Sequence, residues 1–103
     1  MANILRNIPI AEVLSLSDTV TYAEGQVVSK TLVQNEGVGI TLFAFAKGEG
    51  ISTHESKGDA LVVVLDGKGR LTIDGKDYEL AKGDSIVMPA NHPHAVYGIE
   101  AFK

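Results

Sequence analysis

The stretches GEGISTHESKGDALVVVLDG (Gly48 to Gly67) and GDSIVMPANHPHAVYG (Gly83 to Gly98) decide the fold of this chain. Each combines glycine, a run of β-branched and aliphatic residues, and histidine, and together they contain all three histidines of the protein. Along the whole chain, turn residues recur at short intervals between segments rich in Val, Ile, Thr, Phe and Tyr. This spacing is typical of an all-β sandwich or barrel. We therefore predict one all-β domain of antiparallel strands.

Two aspartate-glycine pairs predict tight turns, because such pairs supply the positive φ angles that a two-residue hairpin requires. They are Asp66–Gly67 and Asp74–Gly75, and we expect a β-hairpin at each. Before the second pair, Leu71 and Ile73 share one face of a strand. An apolar residue at every second position predicts a half-buried antiparallel strand.

Residues 38–46 and 61–65 are apolar on both strand faces. Strands of this kind are usually covered on both sides, and the cover here would be the N-terminal segment or a second subunit. We therefore expect a homodimer. Only residues 8–16 have the spacing for a helical turn, and Pro9 keeps that turn short.

Length and composition exclude several classes of protein. The chain has 103 residues, enough for one domain, and it contains no cysteine, so no disulfide can form. The net charge is −4, and the nine basic residues form no run, which argues against a nucleic-acid partner. No apolar segment is long enough to span a bilayer, and the N-terminus lacks the apolar core of a signal peptide. We expect a cytoplasmic protein with no membrane partner.

The offsets of glycine, proline and histidine in the two stretches resemble the two motifs of the cupin superfamily, whose members fold as double-stranded β-helix, or jelly-roll, barrels. The matching positions are Gly48, His54, Gly67, Gly83, Pro89 and His94. The resemblance implies a small single-domain cupin over residues 1–103. Within it, residues 1–20 would form an N-terminal arm or an edge strand, and residues 38–103 would carry the barrel motifs.

Two ligand positions of the first cupin motif hold other residues. Cupin metal sites resemble a cage of three histidines and one glutamate around a divalent transition metal. Here Ser56 stands at the second histidine position and Ala60 at the glutamate position, so the resemblance transfers only His54 and His94 as metal ligands. Two imidazoles without a carboxylate imply a weakly held metal. The degenerate motif leaves open whether any metal binds.

Three other side chains lie near the motif positions. His92 precedes His94 by two residues, so the two would share a face of one strand. Glu55 and Asp59 are each one residue from a ligand position, and alternation turns them outward unless a bulge near Gly58 shifts the register. We expect both carboxylates to be solvated loop charges.

The matched histidines imply a pocket inside the barrel. Residues in phase with them would give it apolar walls and a few polar groups, which is the usual make-up of a small-molecule site. The predicted ligand-binding residues are His54, Ser56, Val62, Met88, His92 and His94.

Three functions follow from this pocket. The first is a module that binds a small molecule, with or without a divalent metal, around His54 and His94. The second is a metal-dependent cupin enzyme of the oxygenase or isomerase type, and the third is a structural or partner-binding domain. Because no nucleophile–base pair and no aligned carboxylate is visible, the sequence favours a binding module over an enzyme.

The resemblance also implies a further apolar strand after Phe102–Lys103. We expect such a strand to close the barrel.

Overall fold

The computed structural model describes residues 4–103, and within them it contains eight strands and one 3-10 helix. The helix is Leu16–Thr19. The strands are β1 (Val27–Gln34), β2 (Gly39–Phe45), β3 (Gly50–His54), β4 (Ala60–Val63), β5 (Lys68–Ile73), β6 (Lys76–Ala81), β7 (Ser85–Met88) and β8 (His94–Gly98). Every strand pairing is antiparallel. The predicted all-β jelly-roll barrel of antiparallel strands is confirmed.

The strands form a four-stranded sheet in the order β3-β8-β5-β6 and two ribbons, β1-β2 and β4-β7. All three units contribute to one core, because side chains from β2, β5, β6 and β7 pack in a single buried cluster. That cluster contains Phe45, Val64, Leu71, Ile73, Leu80, Met88 and Phe102. The four-stranded sheet and the two ribbons therefore enclose a common interior.

The hairpin between β5 and β6 forms as the sequence predicts. Leu71 and Ile73 are buried, and the residues that alternate with them are half-buried. Asp74 and Gly75 have φ angles of 51° and 80°, so both central residues of the turn are left-handed. This backbone matches the twist of the paired strands.

The predicted hairpin at Asp66–Gly67 is wrong. β4 pairs with β7, whereas β5 pairs with β6 and β8, so the strands on either side of this turn lie in different units. Gly67 still has a positive φ of 74°. A Cβ at Gly67 would overlap the carbonyl oxygen of Ala101. The aspartate-glycine pair marks the sharp turn correctly, but the turn carries the chain from one sheet to another.

The described part of the N-terminal segment begins at residue 4 and leads into the 3-10 helix. Residues 4–15 contain neither helix nor strand, and the helical turn predicted over residues 8–16 is misplaced, since the 3-10 helix begins at Leu16. Pro9 and the left-handed φ of 57° at Ala11 are incompatible with a helix earlier in the segment. Met1 to Asn3 lie outside the described residues. The assignment of residues 1–20 to an N-terminal arm or an edge strand stays a prediction.

The segment between the 3-10 helix and β1, together with Ser17 of that helix, is joined to the barrel by polar contacts. The Tyr22 hydroxyl donates to Asp66 Oδ2 at 2.6 Å, and Lys103 Nζ donates to the carbonyl of Ser17 at 2.6 Å. The Lys103 ammonium also lies 4.8 Å from the centre of the Tyr22 ring. Burial raises the pKa of Tyr22 well above its ordinary range, and both the hydrogen bond to Asp66 and its negative charge act in the same direction.

The strands that are apolar on both faces are only partly covered by other parts of the chain. Leu42 and Ala44 of β2 are buried in a second cluster with Val20, Leu32 and Val33, so the preceding segment covers the middle of β2. Other apolar side chains at the start of β2 and on β4 and β7 point outward and are 40–70% exposed. They are Val38 (47%), Ile40 (43%), Leu61 (68%), Val63 (50%) and Val87 (52%). We call these five residues the outer apolar face. No helix in residues 4–103 is long and apolar enough to cross a membrane.

Replacement of Gly67 by alanine should lower the free energy of unfolding by about 1–3 kcal/mol, because a side chain there needs a left-handed backbone and overlaps a carbonyl. Urea denaturation measures the loss. Gly58 is the matched control, since nothing lies within 4 Å of a Cβ built on it. Equal effects of Gly67→Ala and Gly58→Ala would contradict this account.

Replacement of Tyr22 by phenylalanine should cost about 1–2 kcal/mol near neutral pH, because the hydrogen bond to the Asp66 carboxylate is lost. The raised pKa means that the folded state favours the protonated phenol. This stabilisation is complete below the ordinary pKa of 10.0 and is lost as the pH rises above it. Unfolding free energies measured between about pH 8 and about pH 11 should therefore fall more steeply for the parent than for Tyr22→Phe. Parallel pH profiles would count against the contact.

Candidate functional site

A cavity of about 360 Å³ opens between the four-stranded sheet and the strands β2 and β4. Of the residues predicted to bind a ligand, five line it, namely His54, Ser56, Val62, Met88 and His94. The sixth, His92, does not. His54 and His94 are the imidazole side chains among the lining residues, and they lie together at one polar end of the cavity.

Strand pairing brings the two lining histidines together. His54 ends β3 and His94 begins β8, and the two residues are direct partners across the antiparallel pair. The register shifts between Ile51 and His54, so a local irregularity in β3 sets the position of His54. The Nε2 atoms of the two rings lie 3.0 Å apart. The rings meet edge to face, with centres 4.2 Å apart and planes at 74°.

Backbone carbonyls determine the tautomers of both rings. His54 Nδ1 lies 3.0 Å from the carbonyl oxygen of Ser52, and His94 Nδ1 lies 3.2 Å from that of His92. A carbonyl can only accept a hydrogen bond, so each Nδ1 carries the proton and donates. In the neutral imidazole the other nitrogen then has a free lone pair. Both Nε2 atoms are therefore acceptors that point at each other.

Two facing lone pairs at 3.0 Å repel unless a positive charge lies between them. That charge can be a proton shared by the two rings, or a metal ion bound to both. Metal–imidazole bonds are about 2.0–2.1 Å long, so two nitrogens on one ion are at most about 4 Å apart. The observed separation meets this limit. The donor set therefore fits a divalent transition metal, which prefers neutral imidazole.

His92 has a different role from the other two histidines. It lies in the loop before β8, where the strand alternation that would align it with His94 does not apply. Its ring is half exposed, and Nδ1 lies 2.6 Å from Asp74 Oδ2 at the β5–β6 turn. Its backbone carbonyl accepts the hydrogen bond from His94. His92 thus fixes the buried histidine through its main chain.

The two carboxylates considered from the sequence do not enter the cavity lining. Asp59 Oδ1 accepts a hydrogen bond from the backbone N–H of Ala90 at 2.8 Å. Glu55 is exposed. Within residues 4–103 no group of three or more His, Cys, Asp and Glu side chains is placed to hold a metal. A cation between the histidines would therefore have no carboxylate or thiolate ligand from residues 4–103.

Aromatic and aliphatic side chains that the sequence did not assign to the ligand site form much of the cavity wall. They are Phe43 and Phe45 from β2, Ile51, Val96 and Phe102. The rings of Phe45 and Phe102 stack at 4.6 Å between centres. The signal that finds them is the alternation of Thr41, Phe43 and Phe45, which places three residues on the inner face of β2.

The family model for the cupin domain matches residues 41–100, which is more than half of the chain. The chain belongs to the cupin family.

Three cupin-fold structures are similar to it at high sequence identity. A conserved protein of unknown function from Streptococcus pyogenes is 46% identical with a TM-score of 0.95, over 98% of this chain and 89% of that one. A cupin superfamily protein from Desulfitobacterium hafniense is 37% identical with a TM-score of 0.91, over 95% and 90% of the two chains. A cupin 2 conserved barrel domain protein from Leptotrichia buccalis is 47% identical with a TM-score of 0.84, over 86% of this cupin and 43% of that chain.

Among curated proteins, the quercetin 2,3-dioxygenase of Bacillus subtilis is 34% identical over 79 residues, which make up 72% of this cupin and 23% of that protein. An uncharacterized protein of Methanocaldococcus jannaschii is 34% identical over 41 residues, or 40% of this cupin and 33% of that protein. The cupin thus spans at most a third of the length of either relative. These similarities establish the family and leave the activity unassigned.

Nitrogen NMR of the imidazole rings should show His54 and His94 protonated at Nδ1, because each Nδ1 donates to a carbonyl. Long-range ¹H–¹⁵N correlation spectra at neutral pH measure this directly. His92 provides the internal reference, since its Nδ1 faces a carboxylate on the surface and its Nε2 lies outside the cavity. A spectrum with the His54 or His94 proton on Nε2 would remove the basis for a cation site.

Proposed function

We propose that this cupin binds a small molecule through a cation held between His54 and His94. The observation that carries the proposal is the pair of carbonyl-fixed imidazoles whose Nε2 lone pairs face each other at 3.0 Å inside the cavity. A divalent transition metal suits these donors. When bound, such an ion would supply a Lewis-acidic centre that attracts oxygen ligands.

The charge balance of the site favours an anionic ligand. Two neutral imidazoles leave the charge of a divalent ion uncompensated, and neither Asp59 nor Glu55 lines the cavity. A carboxylate or enolate oxygen on the bound molecule would supply both the missing charge and the missing coordination. Ser56 and Thr41 add hydroxyl groups to the wall.

The remaining walls favour an apolar body behind that anionic head. Phe43, Ile51, Val62, Met88 and Val96 surround the cavity, and apolar surface buried there contributes about 25 cal/mol per Å². A volume of about 360 Å³ lies at the small end of ligand sites. The best fit is therefore a small aromatic or aliphatic acid.

A metal-dependent enzyme is the second candidate. The observation that favours it is the similarity to the Bacillus subtilis protein named quercetin 2,3-dioxygenase. Against it stand Ser56 and Ala60, which replace the histidine and glutamate that the cupin resemblance places there. A site with two protein ligands holds its metal loosely, which suits reversible binding better than repeated turnover.

We further propose that two copies of this cupin associate through the outer apolar face. Exposed aliphatic side chains on neighbouring strands mark interaction surfaces when they form one patch, and Ile40, Leu61 and Val63 are between 43% and 68% exposed. Light scattering of the parent and of Leu61→Lys distinguishes a dimer, which this charge should disrupt, from a monomer, which it should not affect.

Cobalt(II) titration followed by visible absorption tests the cation site. The parent should bind cobalt, and His54→Ala or His94→Ala should weaken binding by at least about tenfold, or about 1.4 kcal/mol, because each removes one of two protein ligands. His92→Ala is the matched control and should bind as the parent does, since His92 lies outside the cavity. Equal weakening by all three substitutions would disprove the assignment.

Sodium benzoate tests the ligand class, with benzyl alcohol as the uncharged control of similar shape. Calorimetric titration of the cobalt-loaded protein should show tighter binding of benzoate than of benzyl alcohol by about tenfold or more. The preference should disappear without cobalt, because the ion supplies the charge that attracts the carboxylate. Equal affinities in the loaded protein would exclude an anion-selective pocket.

A further inference from the structure

Three phenylalanine rings form a row along one side of the cavity. The rings of Phe102 and Phe45 lie 4.6 Å apart between centres, with planes at 9°, and the Phe43 ring lies 5.6 Å from that of Phe45, at 27°. Both separations fall within the range of about 4.5–7 Å that aromatic pairs prefer. We call these three residues the aromatic row. Phe45 is its middle ring, so Phe43 and Phe102 are its two ends.

The two ends of the aromatic row have different surroundings. Phe102 is 3% exposed and belongs to the main buried cluster, and a Cβ at Gly69 would lie 2.6 Å from its ring. Phe43 is half-buried, packs against that cluster and lines the cavity. The row therefore starts in the core and ends with a ring that still has accessible surface.

The inner face of β2 leaves space beside the Phe43 ring. Alternation along the strand puts four residues that line the cavity on this face, namely Gly39, Thr41, Phe43 and Phe45. Past Phe43, the face continues with the small Thr41 side chain and then with a glycine. The strand that supplies two rings of the row supplies none at the next two positions, so the cavity continues beside Phe43.

The rest of the wall does not continue the aromatic row. Apart from the row and the two imidazoles, no aromatic side chain lines the cavity within residues 4–103. Aliphatic residues such as Ile51 and Val96 bury apolar surface, but they lack the charge distribution that favours offset stacking of two rings. The Met88 thioether, also on the wall, suits the edge of a ring. The cavity therefore has a place for one more aromatic ring beside Phe43.

We propose that the ligand of this cupin carries an aromatic ring that packs on Phe43 and extends the aromatic row by one member. The ligand is then a small aromatic acid and not an aliphatic one, and Phe43 determines this specificity. The acid group rests on the proposed function, since the cation between His54 and His94 assigns it, whereas the ring rests on the aromatic row. A cavity of about 360 Å³ suits one substituted ring.

The aromatic row holds Phe43 in place before any ligand binds. Its backbone pairs with Ser29 of β1, and its ring packs on Phe45, which is itself fixed by Phe102. A surface that is already ordered loses little side-chain entropy when a ligand binds to it. The gain from one more stacked pair therefore appears in the affinity.

Sodium benzoate and sodium cyclohexanecarboxylate, each titrated into the cobalt-loaded protein by calorimetry, test the proposal. Each has one carboxylate and one six-membered ring, and both are ionised at neutral pH. The saturated ring presents at least as much apolar surface, so a plain apolar pocket would bind it as tightly as benzoate or more tightly. The parent should instead bind benzoate more tightly by about threefold to tenfold, which is the contribution of one aromatic pair beyond area burial.

Substitution of Phe43 shows whether the preference comes from its ring. Phe43→Leu keeps an apolar side chain and should bring the two affinities within about twofold of each other. Phe43→Tyr keeps the ring and should retain the preference for benzoate. Ile51→Val, the matched control, alters an aliphatic part of the wall and should also retain it. A merely structural role of Phe43 would weaken both acids alike and leave their ratio unchanged.

Equal affinities for the two acids in the parent, or an unchanged ratio in Phe43→Leu, would refute the aromatic ligand. The preference for benzoate over benzyl alcohol is a separate result, because it depends on the cation and not on Phe43. If that preference is absent, benzyl alcohol and cyclohexylmethanol compare the two rings without an acid group. Equal affinities for these alcohols, or no binding of either, would then refute the ring as well.

If Phe43→Leu does not fold, NMR of the zinc-loaded parent replaces it. Nuclear Overhauser contacts should join the ring protons of benzoate to those of Phe43. Contacts of benzoate to Ile51 or Val96 without any to Phe43 would overturn the proposal.

Discussion

The pairing of Phe102 with Phe45 is the contact on which the rest of the barrel depends. It joins the β1-β2 ribbon to the chain that returns from β8, and its two aromatic rings stack almost in parallel, at 9°. The stack is possible because Gly69 leaves room beside it: a Cβ at that position would lie 2.6 Å from the Phe102 ring. The same rings form part of the cavity wall. Core packing and cavity shape therefore share one pair of side chains.

The histidine pair depends on backbone contacts between two loops. The Asp59 carboxylate accepts a hydrogen bond from the backbone N–H of Ala90. The carbonyl of Ser56 accepts a hydrogen bond from the backbone N–H of Asn91 at 2.8 Å. These bonds tie the loop after β3 to the loop before β8, so the ends of the two strands that carry His54 and His94 stay in register. Asn91 adopts the left-handed φ of 64° that this loop requires. Asp59 thus supports the site as a backbone acceptor.

The all-β class could be predicted from the recurring turns, whereas the cupin barrel and the meeting of His54 with His94 were implied by the resemblance of the glycine, proline and histidine offsets to the cupin motifs. The hairpin predicted at Asp66–Gly67 was wrong, because a local preference for positive φ does not reveal whether the flanking strands pair with each other. The alignment of His92 with His94 assumed a strand, whereas His92 lies in a loop and its ring turns to Asp74. The direction of a loop side chain depends on tertiary partners that periodicity does not contain.

The part of the cavity wall formed by Phe43 and Phe45 shows another limit of prediction from sequence. Their alternation was visible, but whether an inward residue lines a core or a cavity depends on how far the facing sheet stands away. That distance arises from long-range strand pairing and not from any local pattern. Likewise the tautomers of both histidines follow from the carbonyls of Ser52 and His92, which only a folded backbone can place.

The two histidines differ in one respect that bears on kinetics. His94 is 2% exposed, whereas His54 is an exposed residue at the end of β3. Both rings are oriented by a backbone carbonyl at Nδ1, so they differ in exposure and not in support. Solvent would therefore reach an ion held between the two Nε2 atoms from the side of His54. Exchange of such an ion would then need no opening of the barrel.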